Sequence, residues 1–363
     1  MNVARELFNW YQDNKRDLPW RRTRDPYRIW LSEIILQQTR VEQGRPYYER
    51  FLQSFPTLAD LAAADEQEVL KLWQGLGYYS RARNLHAAAK QVMNEFQGQF
   101  PSTPDTIKSL KGVGDYTSAA IASFAFDLPQ PVLDGNVFRV LSRYFGVHTP
   151  IDSLAGRRAF QSIAQGIIDH RDPATFNQAI MEFGALQCKP VNPACEQCPL
   201  AKECIAFQNA KVSELPVKKT KTKVRDRFFN YLWIRSDEHC WVNQRVANDI
   251  WQNLYELPLI ETDAPCSLKK LPETIAWNRI FGEATFRLKK AGPDLRHLLS
   301  HQKIHARFFE LTINTELDAS VYRKVNQAEL LALPVSRLME LFMQGQMKKT
   351  LFLLTPPSSS KIK

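Results

Sequence analysis

The chain has 363 residues, of which 44% are hydrophobic and 24% charged; this excludes a disordered protein and is too long for one ordinary domain. Its longest near-apolar run, Ser118–Phe126, falls well short of the roughly 20 residues that cross a membrane. Lys and Arg number 48 against 38 Asp and Glu, a net charge of +10, and this surplus points to a polyanion, nucleic acid first.

In chain order, the N-terminus from Val3 to Phe8 reads as an amphipathic helix without the apolar core of a signal peptide, so an intracellular chain is expected, in cytoplasm or nucleoid if bacterial. Apolar residues then recur at helical intervals to about Phe207, as in Ile29, Trp30, Ile34, Ile35 and Leu36, or Leu58, Leu61, Val69, Leu70 and Trp73. Local breaks such as Phe55-Pro56-Thr57 and Pro101-Ser102-Thr103-Pro104 predict many modest helices with short connections. Leu110-Lys111-Gly112-Val113-Gly114-Asp115-Tyr116-Thr117 lies between two helical runs, where Gly112 and Gly114 permit a tight turn that exposes N–H groups to an anion. Asp134, in Leu133-Asp134-Gly135-Asn136, reads in isolation as a helix cap or turn residue.

Four of the six cysteines crowd into Cys188-x6-Cys195-x2-Cys198-x5-Cys204. Disulfides are disfavoured inside a cell. The unequal spacings suit a [4Fe–4S] cluster better than paired zinc knuckles, although spacing alone leaves zinc open. The run 211–227 is basic and predicts a solvated linker. Strands are expected at Phe228–Ile234, Cys240–Val242, Ala284–Leu288 and Arg307–Ile313, giving a smaller α/β domain. The Pro-, Ser- and Lys-rich tail 356–363 is expected to be disordered.

The cysteine spacing, the Leu-x-Gly-Val-Gly-x-x-Thr hairpin and Asp134 together resemble the endonuclease III superfamily of base-excision glycosylases. Trp30-Leu31-Ser32-Glu33-Ile34-Ile35-Leu36-Gln37-Gln38-Thr39 is similar to the matching segment of adenine DNA glycosylases of the MutY type. The resemblance implies several domains. An all-α helix-hairpin-helix domain would span 1–210, with its hairpin at about 104–125 and a single [4Fe–4S] cluster loop at 188–204, and a Nudix-like domain would span 228–355. It implies a monomeric enzyme that acts on duplex DNA at adenine opposite 8-oxoguanine or guanine, and that binds no membrane. Glu33 would protonate N7 of a flipped adenine, Asp134 would stabilise the cationic sugar, and Tyr116 and Asn136 would buttress Asp134. Gln38 and Tyr78 would fill or wedge the base stack, Arg21 and Gln178 would line the adenine pocket, and Gly112 and Gly114 would hold a phosphate.

Tyr116 stands where strand-cleaving members carry a nucleophilic lysine, which implies hydrolysis to an abasic site; a covalent acetal through Asp134 stays open. A bifunctional glycosylase/lyase of the endonuclease III type and a non-catalytic iron–sulfur DNA-binding protein are the alternatives. In the last domain Ile250–Pro258 resembles a Nudix-like segment without the glutamates of a hydrolase helix. His297-Leu298-Leu299-Ser300-His301 corresponds to the 8-oxoguanine-reading loop, with Leu299 in place of Phe.

Overall fold

Asp and Ser side chains set where the helices begin. Asp25, Asp65, Asp134, Ser153 and Asp172 each accept a hydrogen bond from a backbone N–H of the first turn that follows, satisfying donors the helix itself leaves orphaned. A computed structural model describes residues 3–219, 224–282, 284–292 and 294–354. The tail 356–363, and Lys221 and Lys223 of the basic run, lie outside the described residues. No described helix is long and apolar enough to cross a membrane. The contacts divide the chain into two units, Met1–Ala63 with Asn84–Lys221, and Ala64–Arg83 with Thr222–Lys363.

The first unit is helical. It holds α1 (Val3–Asn14), α2 (Pro26–Leu36), α3 (Val41–Ser54) and α4 (Leu58–Ala63). The chain then passes through α5 (Glu66–Trp73) and α6 (Ser80–Glu95), and the division between the units falls inside α6. Next come α7 (Pro104–Lys108), α8 (Asp115–Phe126), α9 (Gly135–Phe145), α10 (Leu154–Ile167), α11 (Pro173–Leu186) and the short α12 (Ile205–Gln208). Leu7 and Tyr11 of α1 join Val137 and Leu141 of α9, Phe160 of α10, and Phe176, Ile180 and Phe183 of α11 in one core. Each such side chain contributes about 1.5–3 kcal/mol on burial. Helix α2 packs against α3 and α8 and is buried on most of its circumference from Tyr27 to Ile35, as expected of a helix apolar all round. That is why Glu33 is out of water.

The second unit is a sheet with helices. Strands β1 (Arg225–Ser236), β2 (His239–Gln244), β3 (Tyr255–Glu256), β4 (Leu259–Thr262), β5 (Phe286–Ala291), β6 (Leu295–Leu298), β7 (Gln302–Ile313) and β8 (Arg323–Asn326) form its sheet. At its centre β1 runs parallel to β7, with Tyr231 opposite Phe308. Helix α13 (Ile275–Phe281) covers a core of Leu232, Trp241, Trp277, Phe281 and Leu311, and its sequence IAWNRIF carries no glutamate.

Two expectations change. The segment Ala64–Arg83 reads as part of the helical run, yet it groups with the sheet unit. There Lys71 Nζ donates to the Leu331 and Leu333 carbonyls at 2.6 and 2.9 Å, and Tyr79 Oη donates to the Val335 carbonyl. The basic linker also ends earlier than its charges suggest. Arg225–Arg227 already belong to β1, and Arg227 is buried because its guanidinium is doubly bonded to Asp249 and to Glu261. Charge pattern alone cannot separate a solvated arginine from a buried one held by two carboxylates.

Candidate active site

A cavity of about 190 Å³ in the helical unit is lined by Glu33, Tyr116, Asp134, Asn136, Arg21 and Gln178. Six residues named from separate stretches of sequence therefore meet. Glu33 is only 6% exposed, and the Tyr116 hydroxyl donates to its Oε2 at 2.7 Å. Burial pushes the Glu33 carboxyl up to about 7 and the nearby Asp134 charge adds to this, while the Tyr116 hydrogen bond and Arg21 pull the other way. A carboxylic acid titrating near neutrality is suited to giving up a proton there.

Asp134 is both helix cap and cavity wall. Its Oδ1 accepts from the Val137 N–H and its Oδ2 from Asn136 Nδ2, each at 2.7 Å. Burial raises its pKa against those bonds. Asn136 is held in turn, because Arg139 Nη2 donates to its Oδ1 at 2.9 Å, while the same guanidinium donates to the Gly184 and Cys188 carbonyls. Close packing of α11 on α9 depends on Gly184, where a Cβ would fall 2.6 Å from that of Asn136.

The hairpin joins α7 to α8. Gly112 has φ +77°, and a Cβ there would meet Asn84 at 2.6 Å, so only glycine fits the turn. Gly114 is the N-cap of α8 and supplies no side-chain cap, leaving the first-turn N–H groups for an external acceptor. Gln38, exposed just beyond α2, has φ +57°.

Cys188, Cys195, Cys198 and Cys204 line a single small cavity with apolar walls from Val140, Phe183 and Leu200. None of the four forms a disulfide. Among the described residues no group of three or more His, Cys, Asp or Glu closes on a point suited to one metal ion. Arg143 is buried beneath the loop, donating to the Lys189, Pro190 and Leu215 carbonyls and, at 3.4 Å, to Cys188 Sγ.

In the sheet unit the turn between β6 and β7 exposes Ser300 and His301. The Tyr78 and Ser300 hydroxyls are hydrogen-bonded to each other. Tyr78 is 50% exposed, with φ +49°. Its backbone lies in the left-handed region, as does that of Gln38, which non-glycine residues enter at a cost.

Sequence reasoning missed Arg16, Arg139, Arg143 and Glu182. A signal was present. Glu182 is the only charged residue in α11, and Arg139 and Arg143 stand four apart on a helix whose other buried positions are mostly apolar, so they share one face.

Residues 31–165 match the family model of the HhH-GPD superfamily of base excision DNA repair proteins, and residues 230–345 match that of the NUDIX domain. An adenine DNA glycosylase of Buchnera aphidicola subsp. Schizaphis graminum is 31% identical over 345 residues, spanning 93% of this chain and 97% of the relative. The chain belongs to the adenine DNA glycosylase family. Membership makes it an enzyme of base excision repair, acting on the N-glycosyl bond of adenine. The adenine DNA glycosylase of Rattus norvegicus is 44% identical over 224 residues, 58% of this chain and 43% of that one. Among solved structures, a thermostable thymine-DNA glycosylase matches 57% of this chain and 95% of its own at 30% identity and a TM-score of 0.54. A non-covalent endonuclease III–DNA complex, at 22% identity and a TM-score of 0.50 over 57% of this chain and 94% of that one, shares the fold of the helical part.

Proposed function

We propose that this chain, as a monomer inside the cell, hydrolyses the N-glycosidic bond of adenine mispaired with 8-oxoguanine or guanine in duplex DNA and leaves an abasic site. The observation that carries this reading is the buried Glu33, titrating near 7 and bonded to Tyr116, in one cavity with Asp134. Protonated Glu33 delivers its proton to N7 of an extruded adenine, so the base departs neutral. The sugar then carries oxocarbenium character, which the Asp134 anion stabilises; Asn136 and, through it, Arg139 keep that carboxylate aimed. Water attacks the cation. The residues described as lining the cavity include no lysine, so this wall offers no amine for a Schiff base.

The hairpin at Gly112–Gly114 holds a phosphate through backbone N–H groups, which positions the duplex without reading sequence. Gln38 fills the space that extrusion leaves in the stack, and Tyr78 acts as a wedge. The four cysteines fit a [4Fe–4S] cluster, since they supply four thiolate donors around one shared cavity with apolar walls. Bound there, the cluster braces the loop 188–204. Ser300 and His301 present hydrogen-bonding groups to the modified purine, and Leu299 offers the apolar contact.

A single-turnover assay on 8-oxoguanine:adenine and guanine:adenine duplexes tests the reaction. Adenine release with strand breaks appearing only after alkali is the expected result. Breaks without alkali, together with a borohydride-trapped adduct, would replace hydrolysis by a lyase. For the reader loop, the double variant Ser300→Ala, His301→Ala is expected to shrink the preference for 8-oxoguanine over guanine by about tenfold, the worth of one or two hydrogen bonds. Thermal stability should hold because both side chains are exposed; an unchanged preference rejects the assignment.

A further inference from the structure

One carboxylate in the cavity wall has no part in the chemistry above. Glu182, on α11, is 1% exposed and accepts five hydrogen bonds. Arg16 donates from its backbone N and from Nε to Oε1, both at 2.9 Å, and from Nη2 to Oε2 at 2.7 Å. Arg21 donates from Nη1 to Oε1 at 3.1 Å and from Nη2 to Oε2 at 2.8 Å. Arg21 Nη1 is shared with the Arg16 carbonyl at 3.1 Å, so both guanidiniums and the backbone between them are tied to this one group. Arg16, Arg21 and Glu182 all line the same cavity as Glu33.

We propose that Glu182 is a positioning residue for the adenine pocket: it locks Arg21 and Arg16 into the wall and offsets their charge beside Glu33. Fork-on-fork pairing fixes a guanidinium in direction as well as place, which a pocket for a planar base requires. The charge effect follows from the neighbours of Glu33. Tyr116 faces it from α8 and Asp134 from the start of α9, where Arg139 stands behind Asn136; Arg21 faces it from the Pro19–Arg21 turn. Arg21 favours the ionised form of Glu33. Beyond Arg21 lie Arg16, which also reaches the exposed Glu42 at 3.9 Å, and Glu182. With Glu182 present the three-residue group carries one net positive charge; without it, two. Burial pushes the Glu182 carboxyl up, but the hydrogen bonds from Arg16 and Arg21 prevail and hold it at about 2. It therefore stays ionised wherever the enzyme works.

This rests on the adenine-excising reading. The test compares pH profiles of single-turnover adenine release for wild type, E182Q, E182D and the double variant E182Q/R16Q, which restores a single net positive charge. E182Q is expected to move the fall in activity at high pH down by about one unit, a loss approaching tenfold at pH 8 and little at pH 5. E182D, which keeps the anion, and the double variant should both return the fall toward its wild-type position. An unshifted profile in folded E182Q overturns the proposal, and so does a double variant as shifted as E182Q. Should E182Q not fold, E182D beside R16Q decides, because R16Q alone lowers the positive charge and must shift the profile upward; a downward or null shift rejects the idea. A wild type that releases no adenine defeats the underlying reading instead.

Discussion

Glu33→Gln leaves duplex binding in place and lowers adenine release by about 10²–10⁴-fold, the usual worth of a positioned general acid. Glutamine keeps the shape of the side chain and can still accept the Tyr116 hydrogen bond, so the cavity survives while the transferable proton is lost. Binding by titration and release by single turnover separate the two effects, and full excision by E33Q would remove Glu33 from the mechanism. In the wild type, release depends on the protonated acid and should fall as pH rises through about 7. The same group bears on stability. Its folded pKa lies above the ordinary value of an unfolded glutamate, so its stabilising contribution is complete below pH 4.5 and is lost as pH rises through about 7. At pH 8 the buried anion costs roughly 3–4 kcal/mol. E33Q escapes that cost, and is expected to melt above wild type at pH 8 with no such advantage near pH 4.5. A pH-independent difference would mean that Glu33 is not buried as an acid.

Cys198→Ser should be the most damaging substitution in the helical unit outside the cavity. Loop 188–204 contains only two short 3-10 turns, at Cys195–Gln197 and Ala201–Glu203, before the four-residue α12. It is tied to the rest of the unit by the carbonyls that Arg139 and Arg143 hold, by the Tyr144 hydroxyl donating to Glu203 and by buried Leu200. So little regular structure cannot hold a loop of this length without a cross-link, and ligand binding at such a site is folding free energy. A loss of about 3–5 kcal/mol is expected, near 10 °C in melting temperature for a unit of this size. Weaker duplex binding and sub-stoichiometric iron should accompany it. Removing iron from wild-type protein with a chelator should reproduce the loss. Zinc instead of iron in purified wild-type protein, or a Cys198→Ser variant as stable as wild type, would end the cluster assignment.

Much of this molecule is legible without coordinates, for identifiable reasons. Cysteine spacing, the glycines of the hairpin and the helix around Glu33 are local: each is written within a span of about twenty residues or fewer, and each restricts backbone or ligand chemistry by itself. Arg16, Arg139 and Glu182 were not legible in that way. Their importance lies in partners 166 positions away for Arg16 and Glu182, and 49 positions away for Arg139 and the Cys188 carbonyl. No local pattern marks such pairs, beyond a lone charge in an apolar helix. The strand count was likewise incomplete, because β3, β4, β6 and β8 are four residues or shorter and take their identity from the edge they pair with.

The sequence by itself determined a helical part with a hairpin and a cysteine loop, a following sheet, and which carboxylates to suspect, because periodicity and spacing are properties of the chain alone. Only the tertiary structure decided that Glu33 is buried, that Asp134 caps a helix and also faces the cavity, that Ala64–Arg83 groups with the sheet unit, and that Arg227 is a buried ion-pair partner. Burial and charge pairing arise between segments distant in sequence, and those two quantities set whether a glutamate is a surface charge or an acid.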